Sequence, residues 1–100
     1  MIQISMRENA LWAHGHSGYG PRGQDVICAA VSILMEATAA ALERQDKLAL
    51  SYFGDGYCFL IAAEDSPLLE VAREGFLQLA KHYGNYVKVK DLRRRRMEHA

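Results

Sequence analysis

Apolar residues recur along this chain with two different spacings, and each spacing predicts a different element. Ile2 and Ile4 alternate with Gln3 and Ser5, a period of two that is typical of a β-strand with one buried face. The run Gly54–Gly56 lies between two strand-like segments and predicts a β-hairpin. The predicted strands after the first cover residues 11–13, 48–53, 57–62 and 86–89.

Two other segments repeat apolar residues every three or four positions, which predicts helices. The first runs from Asp25, suited to an N-cap or first helical turn, to Arg44. The second begins with Ser66 as the cap and Pro67 as the first helical residue, and Gly84 is placed to end it. The predicted apolar stripes are Val26, Ala29, Ala30, Ile33, Leu34, Ala37, Ala41 and Leu42 in the first helix, and Leu68, Leu69, Ala72, Phe76, Leu79, Ala80 and Tyr83 in the second.

The resulting element order, β-β-α-β-β-α-β, predicts a two-layer α+β fold. Several strands are joined by short turns, so we expect a mostly antiparallel sheet packed on two helices. A chain of 100 residues is long enough for one domain, which we place at residues 1–92. Residues 93–100 contain the run Arg93–Arg96 and are predicted to form a basic C-terminal tail.

Composition narrows the possible partners and the compartment. The chain has 12 basic and 12 acidic residues, and this zero net charge argues against direct nucleic-acid binding. Two cysteines are too few for a disulfide scaffold and predict free thiols in a reducing compartment. The longest apolar stretch, residues 26–35, is about half of what a bilayer requires. We therefore expect a cytoplasmic protein without a membrane segment.

The candidate chemistry lies between residues 15 and 28. This segment combines His16 at the end of a strand, a glycine-rich loop, and Cys28 in the first turn of a helix. The partial positive charge at a helix start favours a thiolate, and a nearby imidazole can accept the thiol proton. Two observations weigh against this interpretation. A cysteine in an alanine-rich helix is often only a small buried residue, and the carboxylate of Asp25 opposes a negative charge on Cys28.

Two other kinds of site use the same residues. Gly18–Gly23 fits the G-x-G-x-x-G pattern of dinucleotide-binding loops, but the acidic residue expected at the end of a following parallel strand is missing. His14, His16 and Cys28 could supply three metal ligands, yet their spacing matches no common zinc pattern. We predict neither a metal nor a cofactor. If a nucleotide does bind, it should raise the melting temperature.

The motif residues resemble a known family. Gly15–Tyr19, followed by Gly23 and then by Asp25–Ser32, is similar to the ribosomal-processing cysteine protease family called Prp. This resemblance implies a small bacterial endopeptidase of α+β fold that removes the N-terminal extension of a large-subunit ribosomal protein. It also implies a homodimer and a peptide substrate with an aromatic residue near the scissile bond.

The resemblance assigns roles to individual residues. Cys28 matches the family's nucleophile, His16 its general base, and Asp25 a motif acid with a structural or orienting role. Ser17 stands where many relatives have alanine. The remaining motif positions are Gly15, Gly18, Gly23 and Ser32, and the loop expected to be flexible and to order around substrate comprises Ser17, Tyr19, Gly20, Pro21 and Arg22.

A non-catalytic ribosome- or RNA-associated binding module is the alternative function. Its surface would be formed by aromatic residues of the strands together with Arg93–Arg96. In that case Cys28→Ala would leave function intact, and binding would weaken steeply with salt. Cys58 is interpreted as a packed strand residue. The aromatic residues considered are Trp12, Tyr52, Phe53, Tyr57 and Phe59.

Overall fold

The predicted element order is confirmed in a computed structural model that describes residues 1–20 and 25–93. The boundaries differ from the predicted ones by one or two residues. The elements are β1 (Ile2–Met6), β2 (Ala10–His14), α1 (Val26–Arg44), β3 (Leu48–Gly54), β4 (Tyr57–Ala62), α2 (Pro67–His82) and β5 (Val87–Asp91).

The five strands form one sheet in the order β3-β4-β2-β1-β5. Three of the four neighbouring pairs are antiparallel, and β1 pairs with β5 in parallel. The parallel pair follows from the connection, because α2 carries the chain across the sheet before β5 begins. The mostly antiparallel sheet is therefore confirmed. Since β2 pairs with β4, His14 lies opposite Tyr57, and the β3–β4 hairpin lies next to the end of β2.

Both helices pack on one face of this sheet and form the core with it. Alternate strand residues point into that layer, as Ile4, Ala13 and Leu60 show. Among residues 1–20 and 25–93, no helix covers the other face. The largest fully buried side chains are Ile4, Met6, Leu11, Ile27, Met35, Leu42, Leu60, Leu69, Phe76 and Val87.

The predicted apolar stripe of α1 is largely wrong. Val26 and Ile33 are 59% and 63% exposed, and Ala29 and Ala37 are exposed as well. The helix is apolar on nearly all sides, so its sequence offers two stripes at helical spacing and does not decide which one faces the sheet. The stripe that packs on the sheet comprises Ile27, Val31, Met35, Thr38, Ala39 and Leu42.

By length and composition alone, α1 could also cross a membrane. A third of its most apolar window is buried inside the domain. Met35 and Leu42 are fully enclosed in the core, as expected of the central helix of a folded domain.

The second helix follows its sequence signals closely. Ser66 caps it by accepting a hydrogen bond from the Leu68 N–H, and Pro67 is its first residue. Within the predicted stripe, Leu69, Ala72 and Phe76 are fully buried. The cap at the C-terminal end is Tyr83, which immediately precedes Gly84.

Arg73 is buried with that stripe, although its charge predicts a surface position. It is 2% exposed and donates hydrogen bonds to the carbonyl oxygens of Arg7 (3.0 Å) and Glu8 (2.6 Å) in the β1–β2 turn. It also forms ion pairs with Asp65 and Glu70. This side chain therefore fastens the first β-turn to α2.

Only the first residue of the predicted basic tail is described. Arg93 donates hydrogen bonds to the carboxylate of Asp91 and to Glu70, which ties it to the end of β5 and to α2. Residues 94–100, which contain the rest of the arginine run, lie outside the described residues.

Candidate active site

A pocket of about 140 Å³ lies where the end of β2, the beginning of α1 and the β3–β4 hairpin meet. His16 and Cys28 both line it, so the fold brings together the two residues that the motif singled out. Its other lining residues are Ile2, Ala13, His14, Gly15, Val31, Ser32, Gly54, Asp55, Gly56, Tyr57 and Cys58.

Cys28 is half-buried in the first turn of α1. Its thiol donates a hydrogen bond to Oδ2 of Asp25, with an Sγ–O distance of 3.3 Å. In this arrangement the thiol proton is directed at a carboxylate. For the sulfur to act as a nucleophile, another group has to take that proton.

Asp25 connects three parts of the site. Its Oδ1 caps α1 by accepting hydrogen bonds from the N–H groups of Ile27 and Cys28, each at 3.0 Å. Its Oδ2 accepts from the hydroxyl of Ser17 and from the Cys28 thiol. Burial raises the pKa of Asp25, but these hydrogen bonds outweigh burial and hold the pKa below its usual value. Asp25 is thus a carboxylate that fixes both the loop and the thiol.

The position of His16 depends on a glycine in the β3–β4 hairpin. A Cβ added at Gly56 would lie 2.8 Å from Nε2 of His16, so the imidazole packs directly against this backbone. Gly56 also has a positive φ of 74°, and its carbonyl accepts a hydrogen bond from the Gly15 N–H at 2.9 Å. The sequence indicated Gly56 only as a turn residue. The pairing of β2 with β4 is the signal that would have placed it beside His16.

Ser17, the residue after His16, is anchored in the structure. It is 4% exposed, and its hydroxyl donates to Asp25 and accepts from the Tyr19 N–H at 3.0 Å. The ring of Tyr19 contacts those of Tyr83 and Tyr86 edge-on. The first part of the predicted flexible loop therefore has defined contacts. Pro21, Arg22 and Gly23 lie outside the described residues, and the mobility of the loop stays a prediction.

The N–H groups at the start of α1 are already engaged. Free N–H groups at a helix start are able to hold the oxyanion of an acyl-transfer reaction. In the structure the N–H groups of Ile27 and Cys28 donate to the Asp25 side chain, and that of Ala29 donates to the Asp25 carbonyl. While Asp25 caps the helix, these three groups are not directed at a substrate oxygen.

The remaining motif positions lie around this centre. Ser32 is exposed on the next turn of α1 and lines the pocket, as does His14. Gly18 has a φ of 75°, a value that favours glycine, in the turn before Tyr19. Within residues 1–20 and 25–93, no three His, Cys, Asp or Glu side chains form a group that could hold a metal ion.

Cys58 was expected only to pack within its strand, but it also lines the pocket. It packs against the core and also lines the pocket opposite α1. Burial, and secondarily the negative charge of Glu36, raise the pKa of its thiol. At neutral pH Cys58 is therefore the protonated and less nucleophilic kind of thiol.

One protein-family model and several solved structures are similar to this chain. The family model described as cysteine protease Prp matches residues 1–88, whereas no curated protein matches. A crystal structure of an essential ribosomal processing protease Prp from S. aureus, with a covalently linked product peptide, is similar with a TM-score of 0.80. It has 15% identity and covers 91% of this chain and 99% of that one.

Two further solved structures are similar. SMU.848 from Streptococcus mutans has a TM-score of 0.72 and 27% identity, covering 94% of this chain and 96% of that one. The S. aureus protease with a substrate peptide has a TM-score of 0.73 and 14% identity, covering 91% and 99%. The S. aureus likeness supports the fold, and the family model spans most of the chain, including every motif residue. This chain therefore belongs to the Prp family of cysteine proteases.

Proposed function

We propose that this protein is an endopeptidase that removes the N-terminal extension of a large-subunit ribosomal protein, with Cys28 as nucleophile and His16 as general base. One observation carries the proposal: a thiol in the first turn of a helix and an imidazole at a strand end line the same small pocket. The family supplies the class of reaction, and the S. aureus relative is a ribosomal processing protease.

The chemistry proceeds through a thioester. His16 takes the proton of Cys28, and the sulfur attacks the carbonyl carbon of the scissile peptide bond. The tetrahedral intermediate collapses, the C–N bond breaks, and His16 returns the proton to the leaving amine. Water then hydrolyses the thioester with His16 again as the base. Because the Cys28 thiol faces Asp25 in the structure, it has to turn towards His16 before attack.

Asp25 acts as a positioning residue in this scheme. Through Ser17 it holds the loop that begins directly after His16, and through its cap it holds the helix turn that carries Cys28. Nucleophile and base come from segments twelve residues apart, so a shared anchor fixes their separation. Small displacements of such pairs are costly, on the order of 100-fold in rate for about 1 Å.

We infer that the protein forms a homodimer through the outward face of α1. This face is apolar and exposed, with Val26 and Ile33 more than half exposed and alanines between them. Pairing two such faces would remove apolar surface from water. Light scattering should give twice the mass of one chain, and Ile33→Glu should halve it. Leu50→Glu, which puts the same charge on the opposite side of the molecule, is the matched control.

We propose that the protein is cytoplasmic. Cys28 and Cys58 are both unpaired, which fits the reducing cytoplasm of a bacterium. Export of a reporter fused to the C-terminus, under a growth condition where the protease is expressed, would contradict this placement.

The test is cleavage of a peptide that spans the N-terminal extension of the same organism's ribosomal protein, with products read by mass spectrometry. Wild type should make one cut, and both Cys28→Ala and His16→Ala should abolish it. Cys58→Ala is the matched control, because it removes the other thiol of the same pocket, and it should cut at a comparable rate. Cleavage that survives Cys28→Ala would refute the proposed nucleophile.

A further inference from the structure

The face of the sheet that points away from both described helices combines aromatic rings with lysines. Strand register fixes which side chains point to this face, because neighbours across the sheet share a side. Ser5 lies opposite Trp12, Trp12 opposite Phe59, and Phe59 opposite Tyr52. The complete set of outward strand positions is Gln3, Ser5, Ala10, Trp12, His14, Leu50, Tyr52, Gly54, Tyr57, Phe59, Ile61, Lys88 and Lys90.

Four aromatic rings form a continuous cluster on one side of this face. The centroids of Trp12 and Phe59 are 6.0 Å apart, and those of Phe59 and Tyr52 are 6.2 Å apart, with ring planes within 28° of parallel. Tyr57 contacts both Tyr52 and Phe59. Tyr52 is 53% and Tyr57 43% exposed. These rings are therefore open to a flat partner that stacks on them.

The other side of the face carries positive charge without a negative counterpart. Lys88 and Lys90 are exposed on β5, at the edge of the sheet. Every strand residue is described, and none of the outward positions holds an aspartate or a glutamate. Gln3 and Ser5 on β1 lie between the lysines and the aromatic cluster. With strands about 4.8 Å apart, the lysines lie roughly 10 Å from the strand of Trp12.

We propose that this face binds single-stranded RNA, in addition to the protease function. Unstacked bases have flat π-faces that stack on exposed aromatic rings of a sheet. The phosphates that follow the bases are negative and fit the lysine edge. The amide of Gln3 and the hydroxyl of Ser5 lie where they can hydrogen-bond 2′-hydroxyl groups.

Charge favours RNA over a basic peptide or a second copy of the chain as the occupant of this face. A basic peptide would meet lysines and no carboxylate on this face. A second copy of the chain would bring aromatic rings together but would leave the lysine edge without an opposite charge, because the same face on the copy has none either. The zero net charge of the chain opposes general coating of nucleic acid. It does not oppose a local site, because no acidic residue occupies an outward position of the five strands.

The experiment uses the single tryptophan of the chain. Trp12 belongs to the aromatic cluster, so RNA that stacks there should change its fluorescence. We would titrate the full-length protein with a 12-nucleotide single-stranded RNA of mixed sequence and fit both Trp12 emission and the anisotropy of a dye on the RNA. The two signals should give the same Kd, and the affinity should fall with salt.

Two variants and two matched controls separate the contribution of base stacking to RNA affinity from that of the lysine charges. Tyr52→Ala should weaken binding by about tenfold or more, because one stacking platform is lost. Lys88→Gln/Lys90→Gln should weaken binding and lower the slope of log K against log salt by about one to two. Tyr83→Ala and Lys47→Gln/Lys81→Gln, whose residues lie outside this face, should bind as wild type does. The lysine variants should also keep wild-type peptide cleavage, which shows that they are folded.

Several results would overturn the proposal. One is the absence of a Trp12 response at low salt, and another is an equal loss of affinity in the control variants. Tighter binding of the DNA oligonucleotide of the same sequence would exclude the 2′-hydroxyl contacts and with them the choice of RNA. A stronger Trp12 response to the substrate peptide than to RNA would assign the face to peptide. A dimer mass that Tyr52→Ala converts to a monomer mass would assign it to a second copy.

Discussion

Asp25 and Arg73 are two charged side chains that do similar structural work in different places. Each connects an irregular segment to a helix. Asp25, the cap of α1, holds the loop after β2, and Arg73, in α2, holds the turn before β2. Only Asp25 also contacts a nucleophilic atom, the thiol of Cys28. The partners of Arg73 are the carbonyl oxygens of two turn residues and two carboxylates, and none of these four residues lines the pocket.

A polar network supports chemistry only when it includes a reactive group. The Arg73 network is more enclosed, with its side chain 3% exposed, and should matter chiefly for the free energy of unfolding. The Asp25 network borders an open pocket and should matter chiefly for the rate of cleavage.

Arg73→Met should lower the free energy of unfolding by about 2–3 kcal/mol, because the charged hydrogen bonds to Arg7 and Glu8 are lost while the aliphatic part of the side chain is kept. Urea denaturation measures this, and peptide cleavage by the folded fraction should be unchanged. Arg44→Met, on the exposed end of α1, is the control and should change stability by less than about 0.5 kcal/mol. A loss of cleavage larger than the loss of folded protein would place Arg73 in the chemistry.

Gly56→Ala should reduce kcat/KM by on the order of 100-fold, because the new Cβ displaces the His16 imidazole from its place in the pocket. The positive φ of Gly56 adds strain to any replacement, so stability has to be measured alongside. Gly18→Ala is the control, since it has a similar positive φ but no atom within 4 Å of an added Cβ. Equal losses of kcat/KM in both variants would show that backbone strain, and not the contact with His16, is responsible.

Asp25→Asn should reduce kcat/KM by about 10- to 100-fold with little change in stability. The amide oxygen of asparagine still caps α1, but its NH₂ group cannot accept hydrogen bonds from Ser17 and Cys28. Asp25→Ala removes the cap as well and should cost about 1 kcal/mol of stability in addition. If Asp25→Asn instead cleaves as fast as wild type, the two Oδ2 hydrogen bonds do not position the site.

The smallest expected effect is on the pH dependence of the free energy of unfolding, and it is tested at Asp91. The hydrogen bonds from the Arg93 side chain, partly opposed by burial, lower its pKa to about 2. A carboxyl group with a lowered pKa in the folded state stabilises the fold above its unfolded pKa near 4 and loses that contribution as the pH falls to about 2. The pair is exposed, so its contribution should be below about 1 kcal/mol. Wild type should therefore exceed Asp91→Asn in stability at pH 7, and the gap should close as the pH falls through about 2.

Local signals predicted the fold well where one interpretation was possible. Ser66 and Pro67 could only begin a helix, and the alternation around Ile4 could only place one strand face in the core. The stripe of α1 failed because Val26 and Ile33 are as apolar as Ile27 and Val31, and the choice between them depends on what packs against the helix. Arg73 was missed for a similar reason, since its partners Arg7 and Glu8 are distant in the sequence.

The sequence predicted those site residues that lie close together along the chain. Cys28, His16 and Asp25 share a short segment with a recognisable pattern, and the structure brings them to one place. The contribution of Gly56 depends on strand pairing, and the occupied N–H groups of α1 depend on which way the Asp25 side chain turns. Neither follows from residue types alone.

The most direct test of the catalytic pair does not require the substrate. In a Cys58→Ala background, which leaves one thiol, the rate of Cys28 alkylation by an uncharged reagent would be followed from pH 5 to pH 9. We expect it to be on the order of tenfold faster at pH 7 than in the same protein with His16→Ala, because the imidazole takes the thiol proton. The same rate and the same pH profile in both proteins would contradict the assignment of His16 as the base that activates Cys28.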